Sequence, residues 1–171
     1  MSADLKRQLI TLLPRLRRFA QTLTRSVTEA DDLVQEACLK VLAKSEMWDP
    51  TQPLDRWMFR VMRNLWISEI RKQKVRFGEG TVLADESSEL VTTQTGEDSV
   101  AYSDLRGAMD ALPVDLSCVL LLVSVEGYSY AETADTLDIP IGTVMSRVHR
   151  ARKALAKRLA PPLGGAEGAA S

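Results

Sequence analysis

The chain has 171 residues, 45% of them hydrophobic and 26% charged, with a formal net charge of −1. That length allows one ordinary domain or two small ones of normal soluble composition, and the near-zero charge excludes a chain that is basic throughout. Nine glycines, seven prolines and three each of Phe, Trp and Tyr give no sign of a collagen-like chain or a β-sandwich.

The charge is not spread evenly. Residues 1–26 carry six Lys/Arg and one acid, and residues 28–55 carry seven acids and two Lys. Residues 56–76 then hold seven Lys/Arg and one Glu, residues 77–105 seven acids and no base, and residues 139–160 six Lys/Arg and no acid. The basic blocks 56–76 and 139–160, set apart by the acidic stretch 77–105, are two candidate contacts for a polyanion. Two cysteines, Cys38 and Cys118, do not make a disulfide framework, so a reduced cytoplasmic protein is the simpler expectation. The N-terminus has no apolar core of signal-peptide length. The longest apolar run, Cys118 to Val123, is far too short to span a bilayer, so no membrane insertion is expected.

In chain order, Leu5, Leu9, Leu12, Leu16, Phe19 and Leu23 recur at steps of four and three and predict one helix face. Pro14 predicts a break or kink within it. Thr28 with Asp31 predicts a capped helix start, followed by the stripe Ala30, Leu33, Val34, Ala37, Val41 and Leu42. Residues 46–52 read as a loop around Asp49-Pro50. A long helix beginning near Pro53 then carries Leu54, Trp57, Met58, Val61, Met62, Leu65 and Ile70. From residue 77 to 103 the periodicity vanishes, which predicts a flexible acidic linker. Helical patterning resumes at Leu105, Ala108, Met109 and Leu112. Residues 114–125 predict an apolar helix stopped by Gly127. Two further helices are predicted, 130–137 and about 140–159, and the Pro/Gly/Ala-rich tail 161–171 reads as disordered. The fold class expected is therefore all-α: two small helical modules, 1–76 and 104–160, joined by the linker 77–103. No segment alternates like a half-buried strand, and no repeat of fixed period occurs.

The most specific pattern runs from Tyr128 to Val144. Ser129 and Glu132 predict a capping box, Ala131, Ala134 and Leu137 an inward face, and Asp138 to Pro140 a turn into a second helix. That second helix has the buried stripe Val144, Val148, Ala151, Leu155 and Leu159. Its other face offers Thr143, Met145, Ser146, Arg147, His149, Arg150, Arg152 and Lys153. This is a helix-turn-helix whose second helix enters the major groove, its first residues near base edges and its later cations near phosphates. The lone histidine, His149, lies in that basic helix. No nucleophile–His pairing, phosphate-cradling loop or zinc-ligand spacing is present, so neither an enzyme nor a cofactor is expected.

In the first module, Asp31, Asp32, Gln35 and Glu36 fall on the polar side of the second helix, where a partner offering Arg or Lys would meet them. In the third helix, Trp57 to Leu65 mixes aromatic and cationic residues, a combination suited to single-stranded DNA. Trp57 lies on the apolar stripe and is assigned to the core. Trp48 and Trp66 fit a core face less clearly. The Asn64 amide both donates and accepts hydrogen bonds and is the better base reader.

Leu112-Pro113, Val119 to Val125, Glu126 to Tyr130 and Gly142 to Arg152 together resemble region 4 of the extracytoplasmic-function sigma factors. Ala30 to Ala37, and Trp57 to Leu65 with Arg71-Lys72, resemble region 2 of the same family. The resemblance covers roughly residues 9–76 and 104–159. It implies an alternative sigma factor that binds core RNA polymerase, through the β′ coiled-coil and the β flap, and starts transcription at chosen promoters in a stress response. Asp31, Asp32, Gln35 and Glu36 would dock on the polymerase. Arg60, Arg63, Asn64, Arg71 and Lys72 would handle the −10 element, and the exposed face of the last helix the −35 element. An anti-sigma factor is implied as a further partner. Met145 stands where the family usually has Lys, and Ser68 where it often has Asp. Leu13 to Leu16 and Ala30 to Glu36 are similar to the general-stress subgroup of proteobacteria. Two rival readings are a stand-alone helix-turn-helix regulator and a sigma-like decoy that captures an anti-sigma factor. The first leaves the acidic and aromatic-basic helices unexplained, and the second leaves both basic blocks unexplained.

Overall fold

The computed structural model describes residues 3–77 and 100–159. The predicted linker and tail fall almost wholly outside these residues. Helix α1 spans Ala3–Thr24 and runs through Pro14, so the break that was one of the two expectations there does not occur. Proline removes one backbone donor from the helix. The carbonyl it would have served belongs to Ile10, which is solvent-exposed, and the buried Leu9 and Leu16 hold the helix against the core on either side. The helix ends at Arg25, which adopts the left-handed conformation with φ 55°. Helix α2 spans Val27–Ala43. Its cap is not Thr28: the Ser26 hydroxyl accepts from the backbone N–H of Glu29 at 3.3 Å. Ser26-x-x-Glu29 is the better capping pattern in the sequence.

A short 3-10 turn at Ser45–Met47 and a turn in which Asp49 accepts from both the N–H and the hydroxyl of Thr51 lead into α3, Leu54–Phe77. Leu54, Met58, Phe59 and Met62 of α3 are buried. Trp57, Val61, Leu65, Trp66 and Trp48 pack partly buried against them, so all three tryptophans contribute to the core. Phe59 lay off the predicted stripe yet is fully buried, 4.8 Å from the Phe19 ring.

In the C-terminal half, α4 spans Val100–Asp110 and α5 Val114–Leu120. The helix then widens into a single π turn at Leu121–Val125, and Gly127 closes it with φ 73°, a conformation that suits glycine. Helices α6, Tyr130–Leu137, and α7, Ile141–Leu159, follow with the predicted bounds to within a residue. Ser129 caps α6 by accepting from Glu132 N–H at 3.0 Å. Asp138, in the left-handed conformation at φ 54°, makes the tight turn between them. The inner face of α6 differs from the expected one. Leu137 is buried and Ala134 partly buried as expected, but Ala131 is exposed, and Thr133 and Thr136 are buried as well. In α7, Val144, Val148 and Ala151 are buried as expected, Leu155 is partly buried, and Leu159 is exposed. Among the described residues there is no strand, and no helix is long and apolar enough to cross a membrane.

The two halves do not stand apart. Phe19 and Phe59 of the first half share one continuous apolar cluster with Cys118, Val119, Leu121, Leu122 and Tyr128 of the second. Domains of 55–75 residues bury only about 60% of their unfolded surface and are marginal alone. A shared core lets each half complete the burial of the other. Cys118 sits inside this seam, and burial pushes its thiol up to about 12.

Candidate polymerase and promoter interfaces

Asp31, Asp32, Gln35 and Glu36 are all exposed on α2. Among the described residues, only Asp31 of these four has a cation within ion-pair distance, Arg17 Nε at 3.9 Å on an open surface. Ala30, Leu33, Val34 and Ala37 turn inward from the same helix, which is why the four polar side chains must turn out. Beside this face lies a groove of about 460 Å³ between α1 and α2, floored by Leu9, Leu13, Val34 and Cys38, with Asp31 and Gln35 at its rim. Ile10, which lines it, is 67% exposed.

The α3 candidates divide into two groups. Asn64, Arg71 and Lys72 are exposed. Arg63 is half-buried and only loosely touches the Asn64 amide oxygen, at 3.4 Å. Arg60 is engaged: its Nη2 donates to the backbone carbonyl of Asp135, and lies 2.8 Å from the Asp135 carboxylate. On α7, Met145, Ser146, His149, Arg150, Arg152 and Lys153 are exposed on one side. Thr143 and Arg147 sit at its margin, Arg147 with Asp115 at 4.0 Å. Met145 presents a thioether to solvent at 53% exposure where the family pattern has a cation. The −10 and −35 candidates therefore lie on separate helices. The cationic run of α7 is free of acids along its own length, so any anion it attracts must come from outside the helix.

A polar cluster that sequence reasoning missed pins the two halves together. Arg15 of α1 donates to Asp55 at 2.7 Å and to Glu126 at 2.6 Å. The Tyr128 hydroxyl donates to the same Asp55 oxygen at 2.5 Å. Arg18 lies 3.7 Å from Glu126, whose side chain is only 3% exposed. Burial works against the charge on Arg15, but the bonds to Asp55 and Glu126 outweigh it and raise its pKa. Burial would lift Asp55, yet the Tyr128 and Arg15 bonds hold it below its ordinary value. Tyr128 is pushed far up by burial and by its bond to Asp55. At the far end of α1, the Arg25 guanidinium donates to the backbone carbonyls of Asp110 and Leu112, and Arg106 reaches the Gln21 amide oxygen at 3.1 Å. No local pattern reveals these contacts. Their only trace in the sequence is Glu126-Gly127-Tyr128 placed between two apolar helices.

Arg15→Met should leave Glu126 buried and short of its main partner. Removing one member of a buried pair costs about 3–5 kcal/mol. Here about 3 kcal/mol is expected, because Arg15 is itself a third exposed and Arg18 stays near. Urea unfolding monitored by circular dichroism would measure it, and an unchanged midpoint would show that the pin carries no stability. The depressed pKa of Asp55 fixes the sign of the acid response. Its contribution is present above the ordinary carboxylate value and is lost as pH falls through the lower folded value. The acid limb of the stability curve should therefore be shallower in Asp55→Asn.

Residues 9–76 match Sigma-70 region 2, and residues 102–155 match Sigma-70 region 4. The chain is 34% identical over 162 residues to the sigma factor EcfG of Rhodopseudomonas palustris, spanning 93% of this chain and 87% of that one. It belongs to the extracytoplasmic-function sigma factors. SigW of Bacillus subtilis is 29% identical over 144 residues, spanning 78% of this chain and 77% of that one. Among solved structures, the sigma factor RpoE of Bartonella quintana, crystallised with the anti-sigma factor NepR, superposes with a TM-score of 0.76 at 30% identity. That match covers 92% of this chain and 98% of the other. The sigma factor is thus an alternative, promoter-selecting subunit for transcription initiation, and the two regions match in the order expected. The acidic face of α2 falls in its region 2 and the cationic face of α7 in its region 4.

Proposed function

We propose that residues 1–76 of this sigma factor dock on core RNA polymerase and open the −10 element, while residues 104–160 read the −35 element. The observation that carries this is the pairing, in one chain, of an exposed acidic face on α2 with two cationic helix faces on α3 and α7. Asp31, Asp32, Gln35 and Glu36 meet the cations of the β′ coiled-coil, and the region 4 module meets the β flap. Arg60, Arg63, Asn64, Arg71 and Lys72 serve the separated −10 strand, where cations track the backbone and Asn64 reads a base edge. Thr143, Met145, Ser146, Arg147, His149, Arg150, Arg152 and Lys153 serve the −35 duplex. The chemistry of RNA synthesis belongs to the polymerase, so the chain acts as a non-catalytic factor in the cytoplasm. An anti-sigma factor is its second protein partner. The co-crystallised Bartonella relative supports this, as does the apolar groove between α1 and α2, which suits an amphipathic helix.

The deciding experiment adds the purified chain to core polymerase and maps transcript starts on genomic templates. Defined starts that require the chain support the reading; unchanged background transcription defeats it. Asp32→Lys with Glu36→Lys should abolish co-purification with core polymerase and leave helical content unchanged, because both side chains are exposed and bonded to nothing buried. Undiminished co-purification would remove α2 from the docking surface.

A further inference from the structure

Helix α7 opens with apolar side chains in solvent. Ile141 and Met145, one turn apart, are 49% and 53% exposed. The same helix sends Val144, Val148 and Ala151 into the core, so the core needs neither of the two. Gly142 lies next to both on the helix surface, and a Cβ there would meet nothing in the protein within 4 Å. The backbone of this first turn is therefore bare and open to close approach. Further along, the exposed side becomes cationic with Arg150, Arg152 and Lys153, and α7 contains no acid. Apolar surface in this place contributes nothing to the free chain, but it stands at the end of the helix that meets base edges.

We infer that Met145, with Ile141 beside it, reads thymine: their apolar groups pack against thymine C5-methyl groups in the major groove of the −35 element. The inference rests on the −35 assignment of α7 proposed above and adds what that helix selects. Thymine alone presents a methyl in the major groove, and apolar side chains contact it. Adenine, guanine and cytosine offer only donors and acceptors there, which these side chains would strip of water without pairing. Ile141 and Met145 are separated by about 6 Å along the helix axis, against about 3.4 Å per base step, so the thymines they select lie within about two steps of each other. The cations that continue the exposed side favour DNA over a protein as the occupant, because phosphates line both banks of the groove. A lysine at position 145 would be drawn to any phosphate or to guanine; the thioether gives up that attraction for selectivity.

The test uses the full chain assembled with core polymerase on a promoter located by transcript mapping. Deoxyuridine replaces thymine one base at a time in the −35 duplex, which removes the methyl and leaves base pairing intact. At one or two thymines wild type should lose affinity about fourfold, the effect of one methyl no longer buried. Met145→Ala should bind thymine and deoxyuridine equally at one such position. Met145→Lys should do the same, with a steeper salt dependence. Arg150→Ala should bind both duplexes more weakly and keep their ratio. Deoxyuridine without effect on wild type, a full effect retained by both Met145→Ala and Ile141→Ala, or a −35 element without thymine overturns the inference and leaves promoter selection standing. Weaker co-purification of Met145→Ala with core polymerase, with no thymine sensitivity in wild type, also overturns it and assigns the patch to the polymerase. A chain that starts no transcripts defeats the functional reading, and this inference with it.

Discussion

Val148→Asp should unfold the C-terminal half and loosen the rest. Val148 is 1% exposed on α7 and belongs to the cluster that continues into α1 and α3. The substitution loses the burial of a valine, about 1.5–3 kcal/mol, and forces a carboxylate out of water at a cost of several kcal/mol more. The sum approaches the whole stability of a small domain, which is about 5–15 kcal/mol. Circular dichroism should show helix loss well beyond α7, because the core is shared. Arg152→Asp, one turn along but exposed, should keep native helicity and so report the effect of charge alone. Native helicity in Val148→Asp would mean that α7 presents a different face to the core.

What was readable in the sequence is what depends on local periodicity. The bounds of α6 and α7 follow from Ser129, the turn at Asp138 and the spacing of Val144, Val148 and Ala151, all of which act within a few residues. The polar face of α2 and the cationic face of α7 were readable for the same reason. Misreadings arose where a neighbour decides. Pro14 does not break α1, because Leu9 and Leu16 pack on both sides of it. Phe59 is buried because Phe19 and Tyr128 close over it, although its position lies off the stripe of its own helix. Ala131 is exposed because the face of α6 that turns inward is set by α7 and α3, leaving Thr133 and Thr136 inside. The docking of the halves had no local signal at all: Arg15 and Glu126 are 111 residues apart, and Arg60 and Asp135 are 75 apart. The candidate sites were therefore legible as faces, but not the state in which the chain holds them. Arg60 reads from sequence as an available cation and stands in the structure as an occupied one.

Arg147→Ala with Arg150→Ala should abolish −35 recognition without loss of fold. Arg150 is exposed and alanine is the better helix former, so α7 should keep its helicity. Arg147 is partly covered and only distantly paired with Asp115, so its removal leaves no buried charge. An arginine that pairs bidentately with guanine is worth about 1–3 kcal/mol of discrimination, whereas one that contacts a phosphate weakens all sequences alike and lowers the salt slope by about one. Arg150 projects freely from the middle of α7, and Arg147 lies nearer its N-terminal end, where a recognition helix meets base edges. The expected pattern is therefore a loss of specificity from Arg147→Ala and a reduced salt slope from Arg150→Ala. Titration of element-bearing and scrambled duplexes at several salt concentrations separates the two. Full transcription by the double variant at limiting protein would show that α7 is not the reader.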